Sequence, residues 1–202
     1  MSKGCTVIGI TGGISTGKST FSKLLQERTG ALFFDADQAA RQLVNEDAEV
    51  RGLLQEQFGP EIFSGSGDLN RAALRAIVFS EPEKKRALEQ ILHPRIRLQW
   101  ATEANQSCRT AELFLADIPL LYETEGQKLC DAVVVVACSP ELQQERLMAR
   151  AHLSLADACR MITAQMPLSQ KISQADHLVW NNGPIALLAA QAEILARFWL
   201  AV

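Results

Sequence analysis

This sequence predicts an α/β fold: a mainly five-stranded, parallel, doubly wound sheet with an inserted helical subdomain and a helical lid. Three observations predict it. Short β-rich runs recur five times, several of them apolar at consecutive positions, as strands covered on both faces require. Helix-like segments separate the runs, so neighbouring strands should be parallel. Two of the connections far exceed the roughly dozen residues that a parallel crossover needs.

The first run, TVIGI (Thr6–Ile10), leads through a glycine-rich loop into a helix over about Lys18–Arg28. LFF (Leu32–Phe34) is the second strand. The long stretch 35–111 follows, with a strongly helical middle, and predicts a subdomain set into the core. Within it, SGSGDLN (Ser64–Asn70) reads as a turn and EPEKKR (Glu81–Arg86) as a solvated helix face. ELFLA (Glu112–Ala116) and AVVVVA (Ala132–Ala137) are strands three and four. The second excursion, 138–176, has no glycine and carries Arg146, Arg150 and Arg160. Beside a phosphate site such a flap would be a lid; on charge alone a peripheral helix pair explains it equally well. HLVW (His177–Trp180) is the last strand, and an apolar helix over about Pro184–Leu200 closes the chain. The expected organisation is one domain, with a core of about 1–34, 112–137 and 177–202.

Bulk properties narrow the function. At 202 residues and 48% hydrophobic, the chain can bury a sizeable core. A net charge of −3 argues against a nucleic-acid surface, which is usually basic. No apolar run reaches the ~18 residues that span a bilayer, and the N-terminal apolar segment lacks a secretion-signal cleavage site. Five scattered cysteines read as reduced thiols of a cytoplasmic protein. No membrane partner is expected, and the chain is read as a monomer or weak homo-oligomer.

The most informative stretch is TGGISTGKST (Thr11–Thr20). Gly12, Gly13, Ile14, Ser15, Thr16, Gly17, Lys18 and Ser19 fit G-x-x-x-x-G-K-[ST], between a strand and a helix, the pattern of a P-loop NTPase-type fold. Backbone N–H groups of such a loop and the following helix N-terminus make a concave anion site. Lys18 would reach the β- and γ-phosphates of ATP, and the Ser19 hydroxyl would ligate Mg²⁺, with Thr20 completing the segment. LFLAD (Leu113–Asp117), a strand ending in an acid, is the arrangement that places a carboxylate near that metal.

FFDADQAAR (Phe33–Arg41) bears on the acceptor. Ligands of open α/β sheets sit beyond the carboxyl ends of strands, which puts Asp35 and Asp37 on the edge of the phosphate cradle. With an extended backbone both side chains would point the same way. Asp37 could then accept a proton from an attacking hydroxyl. Equally, Asp37 could N-cap the next helix and pair with Arg41.

Seven segments in register resemble the dephospho-coenzyme A kinase family: TGGISTGKST, DADQAAR, LHP (Leu92–Pro94), DIPLLYE (Asp117–Glu123), SPELQQERLMAR (Ser139–Arg150), QMPLSQK (Gln165–Lys171) and ADHLVWNNG (Ala175–Gly183). The resemblance implies ATP-dependent phosphorylation of the 3′-hydroxyl of the ribose of dephospho-coenzyme A. It implies Asp37 as general base, with Asp35 a supporting or metal-side carboxylate. Arg146 or Arg150 would lie across the ATP phosphates, and Asn181–Gly183 would form part of the adenine pocket through backbone groups. The insertion would hold the acceptor, with Arg41, His93, Leu120 and Leu121 near it. The sequence departs from the family at Ser15, where a small Gly or Ala is usual, and at Gln170, where an acid is common. Another P-loop small-molecule or nucleotide kinase is the nearest alternative. A nucleotide-hydrolysing switch is disfavoured, because no N-K-x-D motif is present.

For the remaining candidates structural roles come first. His93 precedes a proline and reads as a helix terminator. His152, His177 and the three tryptophans read as packing or capping residues.

Overall fold

The computed structural model describes residues 5–65, 67–107 and 111–200, with Phe79 described by its backbone only. Cys108, one of the five thiols considered above, and Ser66, within the expected turn, lie outside them. The chain divides into two compact units, one of Met1–Asp35 with Thr102–Val202 and one of Ala36–Ala101.

The first unit is built on five parallel strands: β1 (Thr6–Gly12), β2 (Leu32–Asp35), β3 (Leu113–Asp117), β4 (Ala132–Ala137) and β5 (His177–Trp180). Their order is β2-β3-β1-β4-β5, with every pairing parallel. The first strand is therefore central, and the loop leaving it emerges in the middle of the sheet's carboxyl edge. The runs are apolar on both faces because both are covered. Ile8, Ile10, Leu115, Val134 and Val136 pack on α1 (Lys18–Thr29), through Phe21 and Leu25, and on the C-terminal helix, through Leu188 and Ala192. Val133 and Val135 of the alternate face are buried as well. At Gly9 a Cβ would meet Leu121 and Cys130, so only glycine lets those side chains reach the central strand.

The second unit is helical. It contains α2 (Ala36–Glu46), α3 (Ala48–Phe58), α4 (Arg71–Ser80) and most of α5 (Pro82–Ser107). Val44, Val50, Leu54, Phe58, Ile62 and Leu74 form a core separate from that of the sheet. Asp47 and Asn70 cap α3 and α4 by accepting from Val50 and Ala73 N–H. The expected turn after Ser64 is present, closed by a Phe63–Leu69 bridge with Gly67 at φ 85°. The expected helix end at His93 is not: α5 runs through Pro94. A proline costs one backbone hydrogen bond and some bending, which a long helix packed along a core can absorb.

The basic excursion is helical too, as α6 (Pro140–Ala151), α7 (Leu155–Thr163) and α8 (Leu168–Ser173), and α9 (Ile185–Leu200) closes the chain. His152 caps α6 in the left-handed region, and His177 meets Phe198 and Trp199 edge-on, each with centroids 5.3 Å apart. Cys130, Cys138 and Cys159 are free, whereas Cys5 is disulfide-bonded, so the reading of five reduced thiols fails there. No described helix is long and apolar enough to cross a membrane.

Candidate active site

The glycine loop hangs between β1 and α1, and its backbone groups are held by side chains from far along the chain. Ile14 N–H donates to Gln165 Oε1 at 3.1 Å, while Gln143 Nε2 donates to Ile14 O at 2.9 Å. Asn181 Nδ2 donates to Thr16 O at 2.9 Å. Gly17 has φ 93°, and a Cβ there would collide with the Asn181 amide, so glycine is required twice over. A Cβ on Gly12 would collide with Val136 O.

Beneath the loop lies Lys171, fully buried. Its ammonium donates to Pro119 O at 2.9 Å, pairs with Glu123 Oε1 at 2.9 Å, and stands 3.5 Å from Gly12 O. Glu123 Oε1 also accepts from Met166 N–H at 3.0 Å, and Thr11 Oγ1 donates to Pro119 O at 3.0 Å. Burial pulls the Lys171 ammonium below its ordinary pKa, and Glu123 opposes that shift. Glu123 thus joins the segment after β3 to α8 and to the root of the loop.

Lys18 forms an ion pair with Asp117, at the end of β3. Burial pushes the Asp117 carboxyl above the usual carboxylate range; Lys18 and Ser22 pull it back, and the Asp35 charge adds to the rise. Asp35 and Asp117 are register partners across β2 and β3, so both acids stand at one corner of the carboxyl edge. Ser19 is exposed in the first turn of α1. A hydroxyl and two carboxylates are the hard oxygen donors that Mg²⁺ takes, together with phosphate oxygens and water. These residues fit the ion, although no larger acidic cluster exists among the described residues.

Ser15, Gly17, Thr20, Arg146, Arg150, Asn181 and Gly183 line one cavity of about 360 Å³, with Ile185 and Leu188 at its apolar end. Arg146 and Arg150 stand one turn apart on α6. Asn181 was expected to serve adenine through its backbone. Its side chain supports the loop, its N–H donates to Ala137 O at 2.7 Å, and the residue lines the cavity.

In the helical unit, Asp37 and Arg41 line a cavity of about 340 Å³ together with Arg71 and Arg75. Val44, Leu69, Leu74, Val78, Leu88 and Leu92 supply its apolar wall. Two expectations for Asp37 fail. The backbone turns helical at Ala36, so extension does not align Asp37 with Asp35. Asp37 is the second residue of α2 rather than its cap, and among the described residues it forms no ion pair with Arg41.

His93 is half-buried on α5, and the cavity lining includes its neighbour Leu92 but not His93 itself. Leu120 is half-buried; its carbonyl accepts from Thr124 Oγ1 at 2.8 Å. Leu121 is fully buried against Gly9 and Gly126, and is a core residue rather than a contact for a ligand.

The dephospho-CoA kinase family model matches residues 6–186. This chain belongs to that family. It is 43% identical to the dephospho-CoA kinase of Anaeromyxobacter dehalogenans over 190 residues, covering 94% of this chain and 90% of that one. The crystal structure of TT1252 from Thermus thermophilus superposes with a TM-score of 0.78 at 34% identity, covering 96% of this chain and 98% of that one. Dephospho-CoA kinase from Campylobacter jejuni follows at 0.72 and 25%, with the same coverage.

Gln143, Gln165, Lys171, Glu123, Arg71 and Arg75 were not singled out from the sequence. A buried lysine has no local signature, and a glutamine that holds a loop resembles any surface glutamine until the chain folds.

Proposed function

We propose that this chain transfers the γ-phosphoryl group of ATP to the 3′-hydroxyl of the ribose of dephospho-coenzyme A, giving coenzyme A and ADP. This is the last step of coenzyme A synthesis. The observation that carries the reading is the family match across residues 6–186, on a chain whose phosphate loop is tied down at both its N–H and carbonyl groups.

In this reading the ATP phosphates fill the concavity of Gly12–Ser19, and Lys18 exchanges Asp117 for the β- and γ-phosphates. Ser19 and Asp117, with Asp35 beside them, would hold Mg²⁺, which neutralises charge on the phosphate oxygens when bound. Asp37 accepts the proton of the ribose hydroxyl as its oxygen attacks the γ-phosphorus, and ADP departs with the bridging oxygen. Arg146 and Arg150 bear negative charge developing on the transferred group. The adenine ring of ATP lies by Asn181–Gly183. Arg41, Arg71 and Arg75 suit the pyrophosphate of the acceptor, and the apolar wall suits its pantetheine arm, with His93 and Leu120 on the acceptor side. The supply of ATP favours a cytoplasmic location, for which the Cys5 disulfide is an unusual feature.

The test is ADP release by purified protein with ATP·Mg²⁺ and a panel of acceptors. Release that depends on dephospho-coenzyme A, with the product phosphorylated at the 3′ position, is the expected result. Equal release with water alone, or a preference for another alcohol, would overturn it.

A further inference from the structure

We infer that the outward face of α9, with the exposed edge of β5 beside it, is an interface at which two copies of this chain pair across a two-fold axis.

Ten large apolar residues are exposed among the described residues, and six of them lie in β5 and α9: Leu178, Trp180, Ile185, Leu187, Ile194 and Phe198. Scattered apolar side chains are normal on a protein surface, whereas a cluster marks an interaction site. Only Gln191, Glu193 and Arg197 of the sixteen residues of α9 are polar. Leu188, Ala192 and Ala196 are buried on the sheet side. Leu187, Ala190, Ile194 and Phe198, at steps of three and four residues, make a second stripe that is exposed. Leu187 is 57% exposed, and Ile194 and Phe198 are 65% exposed. A helix apolar on both sides is normally buried on both.

The three polar side chains of α9 are already engaged within the chain. Gln191 Oε1 accepts from Trp180 N–H at 2.9 Å, and Gln191 Nε2 donates to Trp180 O at 3.1 Å. That closes the outer edge of β5 at Trp180, so contact with a second copy falls to side chains and not to an added strand. Glu193 pairs with Arg197 at 2.8 Å and with Arg28 at 3.4 Å. Two such faces meet without like-charge repulsion. A helix that lies on a membrane surface borders its apolar stripe with Lys and Arg, whereas the one cation of α9 is held by Glu193.

The stripe is also complementary to itself. With Ile194 at the crossing of two antiparallel α9 helices, Ala190 and Phe198 lie four residues, about 6 Å, to either side. Phe198 of one copy then rests on Ala190 of the other, large against small, and the two-fold makes that contact twice. Leu178, Trp180, Leu187, Ile194 and Phe198 together expose roughly 500 Å², so two copies bury about 1,000 Å² before a polar rim is counted. Specific interfaces begin at about 1,200 Å² in total, so the dimer is weak and depends on concentration.

Sedimentation velocity of the full-length protein from about 1 to 200 μM tests this, with a dissociation constant on the order of 10 μM expected. Ile194→Glu and Phe198→Glu each bring two like charges together near the axis and should raise that constant about 10-fold or more. At about 1 μM, where the parent is monomeric, both variants should melt within about 2 °C of it, because the side chains they replace are exposed. A parent that stays monomeric to about 200 μM would overturn the inference. A dimer that neither substitution weakens would do the same, as would midpoints lowered in both variants, which would assign the stripe to the packing of the monomer. Flotation with vesicles of phosphatidylcholine and phosphatidylglycerol tests the other occupant: a parent that binds them while remaining monomeric would give the face to lipid and not to a second copy.

Discussion

The phosphate loop and the start of α2 carry the two halves of the proposed chemistry, and they are built in opposite ways. Four side chains distant in sequence, those of Gln143, Gln165, Lys171 and Asn181, bond to or approach backbone groups of the loop. Asp37 is exposed in the first turn of a helix, with no cap bond and no ion pair among the described residues. Backbone dipoles stabilise phosphate charge only when they are already oriented, so a cradle has to be rigid. A general base has to be reachable and free to accept a proton, so an unencumbered carboxylate suits it.

That contrast breaks first at Asp37. Asp37→Asn should lower kcat by about 100-fold or more while leaving ATP affinity intact, because a positioned base typically supplies 10²–10⁴-fold. Steady-state rates with calorimetric ATP binding check this, and near-normal turnover would remove Asp37 from the chemistry.

On the rigid side, Lys171→Met leaves Glu123 without its cation. Breaking a buried pair from one end costs about 3 kcal/mol or more, which lowers the melting midpoint by roughly 10 °C in a chain of this size. The double variant Lys171→Met/Glu123→Gln should recover part of that loss. A double variant that is simply the sum of the two singles would deny the coupling.

A smaller effect is expected in the helical unit. Arg75→Ala should raise KM for the acceptor about 10-fold with KM for ATP unchanged, since the phosphate cavity contains none of its atoms. A rise in both would blur the distinction between the two sites.

The mildest test is alkaline stability. Burial pushes the Cys130 thiol up from 9.0 to about 12, and the Tyr122 hydroxyl up from 10.0 to about 12. Both folded-state pKa values are raised, so the folded protein holds protons that the unfolded chain releases. Stability is fully present below pH 9 and declines as pH rises towards about 12. Cys130→Ala should delay the decline to about pH 10, where Tyr122 begins to contribute; denaturant melts across this range report it.

Much of this architecture was legible beforehand. The five β-runs became five parallel strands, with β1 extended through Gly12 and β3 ending at Asp117. Consecutive apolar residues can mean little else in a strand flanked by helices. Ser15, Gly17, Arg146, Arg150, Asn181 and Gly183, chosen from separate segments, border one cavity. The failures were local. Asp37 misled because the extended backbone was assumed to outlast Asp35, and His93 because a proline was read as a stop. Leu121 misled because a leucine after a catalytic-looking run was read as facing a ligand, although Gly9 opens a core slot for it.

By itself the sequence determined the strand-and-helix alternation, the phosphate loop and the family, because those are written in short-range periodicity and in contiguous motifs. Only the folded chain decided which side chains brace the loop and which leucine is interior. Those depend on contacts such as Ile14 with Gln165 and Thr16 with Asn181, between residues more than a hundred positions apart. No local pattern encodes such pairings; packing of the sheet and its helices brings them together.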